Sequence, residues 1–409
     1  MTNDNNIPQH WKTVITADII DVRDGTHDTP KYVTENGVPL VTSKNLKANK
    51  IDFERVSFIS YEDHLEISKR SKVEEGDILF AMIGTIGNPA IIKGDANFSI
   101  KNVGLFKKNE SVILPAFLVN FLRSSIFEKQ LSDKKLLKGT TQKFIPLGNL
   151  RKIILPLPPL PEQQAIVAKL EELLSELENG KQQLLTAQQQ LKVYRQSLLK
   201  WAFEGKEKTT VGELFDFIGG GTPSKKNPKY WQGKIPWASV KDVKGDYLNK
   251  TQDNISEEGL KDSASNLAKP NDVILITRIS PGKTIITKIE TAINQDLKIV
   301  KPKFETTPKF IFYVFKSIEW ECVKKSSGTT VLGINLTNLK EIKVPKISIE
   351  EQRFIVSELE SKLTVCDKIE ETISQSLQQA ETLKQSILKK AFEGKLVTTE
   401  KMTVVNELH

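Results

Sequence analysis

A segment of 45 residues occurs twice in this chain of 409 residues. Glu162 to Lys206 aligns without a gap with Glu351 to Lys395, at a shift of 189 positions, and 18 of the 45 positions are identical. Both copies end in the pentapeptide AFEGK. Similarity of this length indicates a duplication, so the chain is expected to fold as two similar halves.

Each copy predicts a long amphipathic helix. In the first copy, leucine recurs at every seventh position with apolar residues between, which is typical of a coiled coil. Proline-containing runs precede both copies, and Gly205 and Gly394 follow, as expected for helix starts and stops. One such helix cannot bury its stripe alone, so the two are expected to pack on each other, although a hairpin of this kind need have no binding role. The predicted spacer-helix seam consists of Ile166, Leu170, Leu173, Leu177, Leu184, Leu191, Tyr194, Leu198, Val356, Leu359, Leu363, Ile373, Leu377 and Ile387.

The globular segments before the helices are also repeated. GVPLVTSKNLK at 37–47 resembles GKIPWASVKDVK at 233–244, and KGTTQKFIPLGNLRKIILP at 138–156 resembles SGTTVLGINLTNLKEIKVP at 327–345. Short β-forming runs between Gly, Pro, Asn and Asp signals, with a helix predicted at Pro115 to Leu131, indicate mixed domains. The predicted fold class is α+β, with two mixed α/β domains separated by two long antiparallel helices packed as a coiled coil, and with a pseudo-two-fold internal repeat.

The predicted boundaries follow from this repeat. They are a first domain at 1–155, a first spacer helix at 156–206, a second domain at 207–344, a second spacer helix at 345–395 and a tail at 396–409. In the tail, Thr403 to Leu408 reads TVVNEL, close to TTVGEL at Thr209 to Leu214. The tail is therefore predicted to pack on the first domain and to close the two halves into a ring, unless it is a frayed terminus that resembles the linker by ancestry.

Composition favours a protein of the cytoplasm with a polyanionic partner. The two cysteines are far apart in sequence, which argues against a disulfide framework and fits a reducing compartment. No secretory signal and no apolar run long enough to span a bilayer is visible. The net charge of +8 is spread over many lysines.

Catalytic motifs are matched only in part. The run at Pro281 to Thr284, PGKT, resembles the end of a P-loop, but Thr277 stands where the leading glycine should be. The glycine run at Gly219 to Gly221 is interpreted as a turn. The four histidines are scattered, and no Cys or His pair has the spacing of metal ligands. The sequence predicts a non-catalytic chain that binds no metal and no cofactor.

Two similar basic domains on a helical spacer suit the recognition of split DNA sites. A two-fold or pseudo-two-fold protein reads two half-sites whose separation is set by its own span. Because the two domains differ in sequence, the half-sites are expected to differ as well. The predicted target is an asymmetric double-stranded DNA sequence with an unread gap.

The order domain, helix, domain, helix resembles the specificity subunit of type I restriction-modification enzymes. The motifs are LPPLPEQQAIV at 157–167, its echo ISIEEQRFIV at 347–356, and the endings QSLLKWAFEGK and QSILKKAFEGK. The resemblance covers essentially the whole chain. It implies two target recognition domains, each reading one half of a bipartite site, and helices that act as spacers.

The resemblance also implies partners. Two modification (methyltransferase) subunits would dock on this chain and methylate adenine with S-adenosylmethionine, and restriction subunits in the full complex would add ATP- and Mg-dependent translocation and cleavage. S-adenosylmethionine, ATP and Mg are expected only on those partner subunits.

Candidate DNA contacts are polar and cationic residues near turns, because cations neutralise phosphates while amides, hydroxyls and Arg read base edges. Trp231 and Trp237 are expected in the core instead. The candidates are Lys44, Asn45, Lys47, Lys69, Arg70, Lys72, Thr140, Thr141, Gln142 and Lys143 in the first domain, and Lys225, Lys226, Lys229, Lys241, Lys244, Arg278, Lys283, Thr329 and Thr330 in the second.

Two other functions fit the same sequence. One is a coiled-coil scaffold that never contacts nucleic acid. The diffuse distribution of charge along the chain favours this alternative. The other is a stand-alone dimeric DNA-binding protein without a restriction role. Duplication of whole domains with divergent loops argues against the scaffold, which has no need of it.

Replacing Lys241 and Lys244 together by Ala is expected to weaken binding to all DNA sequences. Two lost phosphate contacts release fewer counterions, so the slope of log K against log salt should fall by about 2. Affinity measured at several salt concentrations checks this. An unchanged slope would remove both lysines from the DNA footprint.

Overall fold

The computed structural model describes residues 7–47, 50–133 and 135–397. The chain divides into two compact units, and each unit contains one globular domain with parts of both long helices. Unit 1 comprises Met1–Leu184 with Gln375–His409, and unit 2 comprises Leu185–Ser374. The tail segment Thr403 to Leu408, predicted to complete the first domain, lies outside the described residues.

The described residues of unit 1 form twelve strands and six α-helices, the last of which continues into unit 2, together with the end of the second long helix. The strands are β1 (Lys12–Ile15), β2 (Val22–Asp24), β3 (Tyr32–Val33), β4 (Val38–Thr42), β5 (Leu46–Lys47), β6 (Lys50–Ile51), β7 (Ser57–Ile59), β8 (Ile78–Ala81), β9 (Gly87–Ile91), β10 (Ser99–Lys101), β11 (Val103–Phe106) and β12 (Ile154–Leu157). The helices are α1 (Thr16–Ile19), α2 (Tyr61–Ser71), α3 (Pro115–Phe121), α4 (Ser125–Asp133), α5 (Leu147–Leu150) and α6 (Leu160–Ala202).

Two four-stranded sheets form the body of the first domain. One has the order β10-β4-β7-β3, in which β10 runs parallel to β4, and the other has the antiparallel order β2-β11-β8-β9. The short pairs β1-β12 and β5-β6 complete the sheet structure. Phe80, Phe106 and Phe127 are buried in edge-to-face contact on one side of the second sheet.

Unit 2 repeats this construction. Its strands are β13 (Lys208–Thr210), β14 (Phe215–Gly219), β15 (Ile235–Ala238), β16 (Tyr247–Leu248), β17 (Asp253–Ile255), β18 (Leu267–Ala268), β19 (Val273–Ile276), β20 (Thr284–Thr287), β21 (Thr291–Ile293), β22 (Leu297–Pro302) and β23 (Lys343–Pro345). Its helices are α7 (Val211–Leu214), α8 (Glu257–Lys261), α9 (Pro308–Ser317), α10 (Glu319–Lys324), α11 (Leu336–Lys340) and α12 (Ile349–Phe392), which continues into unit 1.

The sheets of the second domain follow the topology of the first. The order β14-β22-β19-β20-β16 corresponds to β2-β11-β8-β9 with one strand added at the edge. In the other sheet, β17-β15-β21-β18, the parallel pair β15 and β21 corresponds to β4 and β10. The pair β13-β23 corresponds to β1-β12. The prediction of two mixed domains related by an internal repeat is confirmed.

The two repeated segments form the longest helices of the described chain. Helix α6 has 43 residues and α12 has 44. Gly205 and Gly394, just beyond their ends, have φ values of 71° and 68°. This left-handed conformation ends a helix and costs glycine nothing, because glycine has no Cβ. Within the described residues, no helix is both long and apolar enough to cross a bilayer.

Parts of the two long helices pack together in each unit. In unit 1, Ile166 and Leu170 near the start of α6 share a core with Leu388 and Phe392 near the end of α12. In unit 2, the end of α6, including Leu198, packs with the beginning of α12. The start of one helix meets the end of the other in both units, so the packing within each is antiparallel.

Burial differs along the predicted seam. Buried members are Ile166, Leu170, Leu191, Leu198, Val356, Leu359, Ile373 and Ile387, and half-buried members are Leu173, Leu177, Leu184, Leu363 and Leu377. The side chain of Tyr194 does not belong to this set, because it is 50% exposed. Near the end of α6 the buried face consists of Leu191, Leu198 and Leu199. Tyr194 lies outside this face, so its side chain points towards solvent.

The single helix predicted at Pro115 to Leu131 is wrong. Two helices, α3 and α4, occupy the segment. The hydroxyl of Ser124 donates a hydrogen bond to the carbonyl of Phe121 at 2.7 Å and accepts one from the backbone N–H of Phe127 at 3.3 Å. One serine thus ends the first helix and caps the second. A pattern of apolar residues cannot predict this break, because it depends on a polar side chain that bonds to nearby backbone groups in place of the helix.

Candidate nucleic-acid interface

A buried glutamine joins the first domain to the start of α6. The Gln163 side chain is 0% exposed, and its amide donates to the carbonyls of Val112 at 3.0 Å and Pro158 at 2.9 Å. Its oxygen accepts from the backbone N–H of Leu114 at 2.9 Å. Leu114 directly precedes α3, so one amide group holds the start of a domain helix against the start of the long helix.

Gln352 makes the corresponding set of contacts in the second domain. It is also 0% exposed, and it donates to the carbonyls of Glu305 at 3.3 Å and Ile347 at 3.1 Å while accepting from the Thr306 hydroxyl at 2.7 Å. The neighbouring Thr307 caps α9. The glutamine of the repeated EQ motif therefore has the same structural role in both domains, and it fixes where each domain sits on its own helix segment.

A rigid turn displays one lysine at the same place in each domain. Strands β4 and β15 each run into a 3-10 turn, Ser43–Asn45 and Val240–Asp242, that is closed by a reciprocal capping box. Lys44 and Lys241 occupy the second position of these turns, and both are exposed. The position suits a phosphate contact because the backbone beneath it is fixed.

Asn45, predicted as a DNA contact, has its side chain in the protein instead. It is 5% exposed, and its amide donates to the carbonyls of Asp52 at 3.1 Å and Arg55 at 3.2 Å. Its oxygen accepts from the N–H and hydroxyl of Thr42. The residue is a cap, as Asp242 is in the second domain, and its side chain is not available to DNA.

The two GTT loops have the same construction. In the first, Lys138 and Phe144 exchange backbone hydrogen bonds of 2.8 and 2.9 Å, and in the second Ser327 and Gly333 exchange two of 2.9 Å. Gly139 and Gly328, at the start of each loop, have positive φ. The loop members Thr140, Thr141, Gln142 and Lys143 are exposed, and so are Thr329 and Thr330.

Several predicted cations already have carboxylate partners. Lys69 pairs with Glu66, Arg70 with the buried Asp24, and Lys72 with Glu74 at 3.4 Å. In the second domain Arg278 lies 3.3 Å from Asp296. These pairs reduce the local positive charge. The net positive charge around Lys69, Arg70 and Lys72 is therefore smaller than the sequence of this segment indicates. The remaining predicted cations, Lys47, Lys143, Lys225, Lys226, Lys229, Lys244 and Lys283, are exposed.

A groove in the second domain brings predicted and unpredicted residues together. Lys225 and Lys241 line it, with Thr222, Asn294 and Gln295. Lys226, Lys229, Lys244 and Lys283 are not among its lining residues. The groove thus combines cations that suit phosphates with the exposed Gln295 amide and the Thr222 hydroxyl, which suit base edges. The Asn294 amide is 6% exposed and donates to the Asp296 carboxylate at 3.2 Å, and Asp253 and Asp296 add negative charge to the lining.

Gln295 is not among the residues predicted from the sequence, because a glycine run by itself indicates only a turn. A Cβ on Gly220 would lie 2.2 Å from the carbonyl oxygen of Asn294, so this close approach requires glycine. The approach places the Thr222 hydroxyl in a hydrogen bond with the Gln295 side-chain oxygen. The sequence signal for this site is the glycine run at Gly219 to Gly221 followed by the polar Thr222, because glycines allow two backbone segments to approach closely.

The tryptophans belong to the body of the second domain. Trp237 is 6% exposed and donates from its indole to the Gly221 carbonyl at 3.1 Å. Trp231 meets it edge to face, with ring centroids 5.0 Å apart. Through the hydrogen bond of Trp237 to Gly221, the pair helps to hold the loop at 219–222 in place.

The buried thiol of Cys322, in the second domain, is a poor nucleophile at neutral pH. Burial raises the pKa of the Cys322 thiol to about 12, so the reactive thiolate form is scarce. Among the residues that the structure describes, no group of three His, Cys, Asp or Glu side chains is arranged to hold a metal ion.

These features define a class: a DNA-recognition chain with two copies of one binding domain, each fixed to a segment of a long helix. The family model described as the type I restriction modification DNA specificity domain matches the chain twice, at residues 8–187 and 204–379. The chain belongs to this family, and it is a specificity subunit, which recognises DNA and is not the catalytic subunit.

The chain is also similar to proteins that are named specificity subunits. The StySPI specificity subunit of Salmonella potsdam is 24% identical over 96% of this chain and 91% of its own length. The EcoKI specificity subunit of Escherichia coli strain K12 is 25% identical over 89% of this chain and 84% of its own length. The match to the EcoR124I/EcoR124II specificity subunit of Escherichia coli, 29% identical, covers 56% of this chain and only 59% of that relative.

Solved structures share the fold. A chain from the study "Structural basis underlying complex assembly and conformational transition of the type I R-M system" matches with a TM-score of 0.76 at 22% identity, covering 95% of this chain and 99% of that one. The HsdS subunit from Thermoanaerobacter tengcongensis matches with a TM-score of 0.59 at 21% identity, covering 97% and 100%.

Replacing Gln352 by Met is expected to lower the free energy of unfolding by about 2–4 kcal/mol. Met has a similar length but cannot make the three hydrogen bonds of the amide, so the buried polar groups that bond to Gln352 lose their partner. Urea denaturation measures this loss. Gln196→Met, at an exposed position of α6, is the matched control and should change stability by less than about 0.5 kcal/mol. Equal effects of the two substitutions would contradict the structural role of Gln352.

Proposed function

We propose that each recognition domain reads one half of an asymmetric bipartite DNA site. The observation that carries this proposal is that equivalent loops on one backbone design present different side chains. Gln142 and Lys143 of the first GTT loop correspond to Val331 and Leu332 of the second. Amides and cations hydrogen-bond to the polar edges of bases, whereas apolar side chains contact the methyl group of thymine. The two half-sites are therefore expected to differ in sequence.

The proposed contacts to phosphate are the exposed cations on the turns and loops of each domain. Lys44 and Lys241, on their matching 3-10 turns, are the best-placed pair. Arg70, Lys69 and Lys72 contribute less, because they share their charge with carboxylates. With the polar residues of the GTT loops, which are proposed to contact base edges or phosphates, the DNA contacts retained from the sequence are Lys44, Lys47, Lys69, Arg70, Lys72, Thr140, Thr141, Gln142, Lys143, Lys225, Lys226, Lys229, Lys241, Lys244, Arg278, Lys283, Thr329 and Thr330.

The long helices are proposed to set the spacing and to bind two methyltransferase subunits. In unit 2 they expose large apolar side chains, among which Trp201 is 55% exposed and Phe354 is 65% exposed. The Lys362 ammonium lies 5.6 Å from the centroid of the Trp201 ring. Exposed aromatic residues on a helix support a protein interface. In the repeat, Lys390 and Ala165 replace Trp201 and Phe354, so the two docking faces differ in chemistry.

Catalysis is assigned to the partners in this proposal. S-adenosylmethionine belongs to the methyltransferase subunits, and ATP and Mg belong to the restriction subunits. A cytoplasmic location is part of the proposal, and the free cysteines Cys322 and Cys366 support it because free thiols are typical of a reducing compartment.

The decisive experiment is single-molecule sequencing of a plasmid that carries this gene with its modification partner. A split motif with methyl-adenine in both halves is expected. Exchange of residues 1–155 for the domain of a relative should change one half of the motif, and exchange of residues 207–344 should change the other. A motif in which both halves change together would contradict the assignment of one half-site to each domain.

A further inference from the structure

Ile279, in the second domain, has an unusual backbone conformation. Its φ is 75°, in the left-handed region, and its side chain is 56% exposed. A β-branched residue is strained there, since its Cβ branches crowd the backbone. Such strain persists where surrounding contacts impose it, and it concentrates at functional sites. Burial of an apolar side chain offers no compensation here, because most of Ile279 remains in solvent.

The first domain has glycine at the equivalent position. Gly84 has the same φ of 75°, and its N–H donates to the carbonyl of Lys143 in the GTT loop at 3.3 Å. The N–H of Ile279 donates to the carbonyl of Leu332, in the second GTT loop, at 2.8 Å. The shared fold thus imposes this conformation, and glycine adopts it freely. The isoleucine side chain is the feature particular to the second domain.

Ile279 lines the same groove as Lys225, Lys241 and Gln295. The two lysines suit phosphates, and Gln295 suits a base edge. An exposed apolar side chain among these groups completes the set by which proteins read DNA, because it suits the methyl group of thymine or the face of an unstacked base. Asp253 and Asp296 also line the groove and offset the charge of the two lysines, so a duplex is favoured as the occupant by the exposed Gln295 and Thr222 side chains, which can hydrogen-bond to base edges.

We infer that Ile279 is a specificity-determining residue of the second recognition domain, whose side chain contacts an apolar surface of a base in the second half-site. The inference rests on the proposed function, since it requires that this domain read DNA. It deepens that function by naming one residue and the chemistry of its contact.

The test compares Ile279→Gly with Ile279→Ala in the complete complex with the methyltransferase subunits. Glycine relieves the backbone strain, so its midpoint of thermal unfolding should equal or exceed that of the wild type, while Ala should bring no comparable gain. Both lack the branched chain beyond Cβ, so both should relax the methylated motif at one or two adjacent positions of the second half-site. The first half-site should not change.

Affinity for the wild-type site should fall roughly three- to tenfold in both variants, as for the loss of a few methylene contacts. Affinity for unrelated DNA should not change. Deoxyuridine in place of each thymine of the second half-site distinguishes the two forms of contact. A loss seen with the wild type and not with Ile279→Gly identifies a thymine methyl group, whereas increased 2-aminopurine fluorescence that requires Ile279 identifies an opened base step.

Three results would overturn the inference while leaving the proposed function intact. They are an unchanged motif and affinity in both variants, a fall in affinity that is equal for all sequences, and weaker binding of a methyltransferase subunit with unchanged selectivity. The wild-type complex is the reference throughout. If it methylates no split motif, the proposed function itself has failed, which is a separate outcome.

Discussion

The buried amide groups of Gln163 and Gln352 determine where each recognition domain sits. Each amide makes three hydrogen bonds to the segment that precedes a domain helix and to the start of a long helix. Hydrogen bonds of this kind are directional, and a buried amide left unpaired is costly, so the alternatives to this arrangement are few. A protein that reads DNA at two places needs such definition, because an error in the orientation of a domain moves every contact that its loops make.

The second constraint is that one backbone design serves two specificities. The capping boxes that end with Asn45 and Asp242, and the bridged loops that begin at Gly139 and Gly328, recur in both domains. The scaffold is therefore independent of what is read, and side chains at equivalent positions are free to differ. Among the described residues with positive φ, Ile279 is the β-branched one, and glycine stands at the equivalent position of the first domain, so its side chain stands out from the other differences.

Much of the architecture could be predicted from the sequence, because a gapless repeat and a regular apolar period are signals that survive without knowledge of contacts. The boundaries at Gly205 and Gly394 follow from the same local chemistry. The break at Ser124 and the burial of Asn45 could not be predicted, since both depend on a polar side chain that bonds to nearby backbone. The groove residue Gln295 was missed for another reason: it is brought to Thr222 by a close approach of two distant segments, which sequence periodicity does not encode.

The central claim is that each domain contacts its own half-site through equivalently placed loops. The most direct measurement places a photo-reactive amino acid at Thr140 or at Thr329, one at a time, in the complete complex bound to its DNA site, and maps the cross-linked bases. The account predicts that the Thr140 variant cross-links only within one half-site and the Thr329 variant only within the other. Cross-links from both positions to the same half-site, or efficient cross-links confined to the gap between the halves, would contradict it.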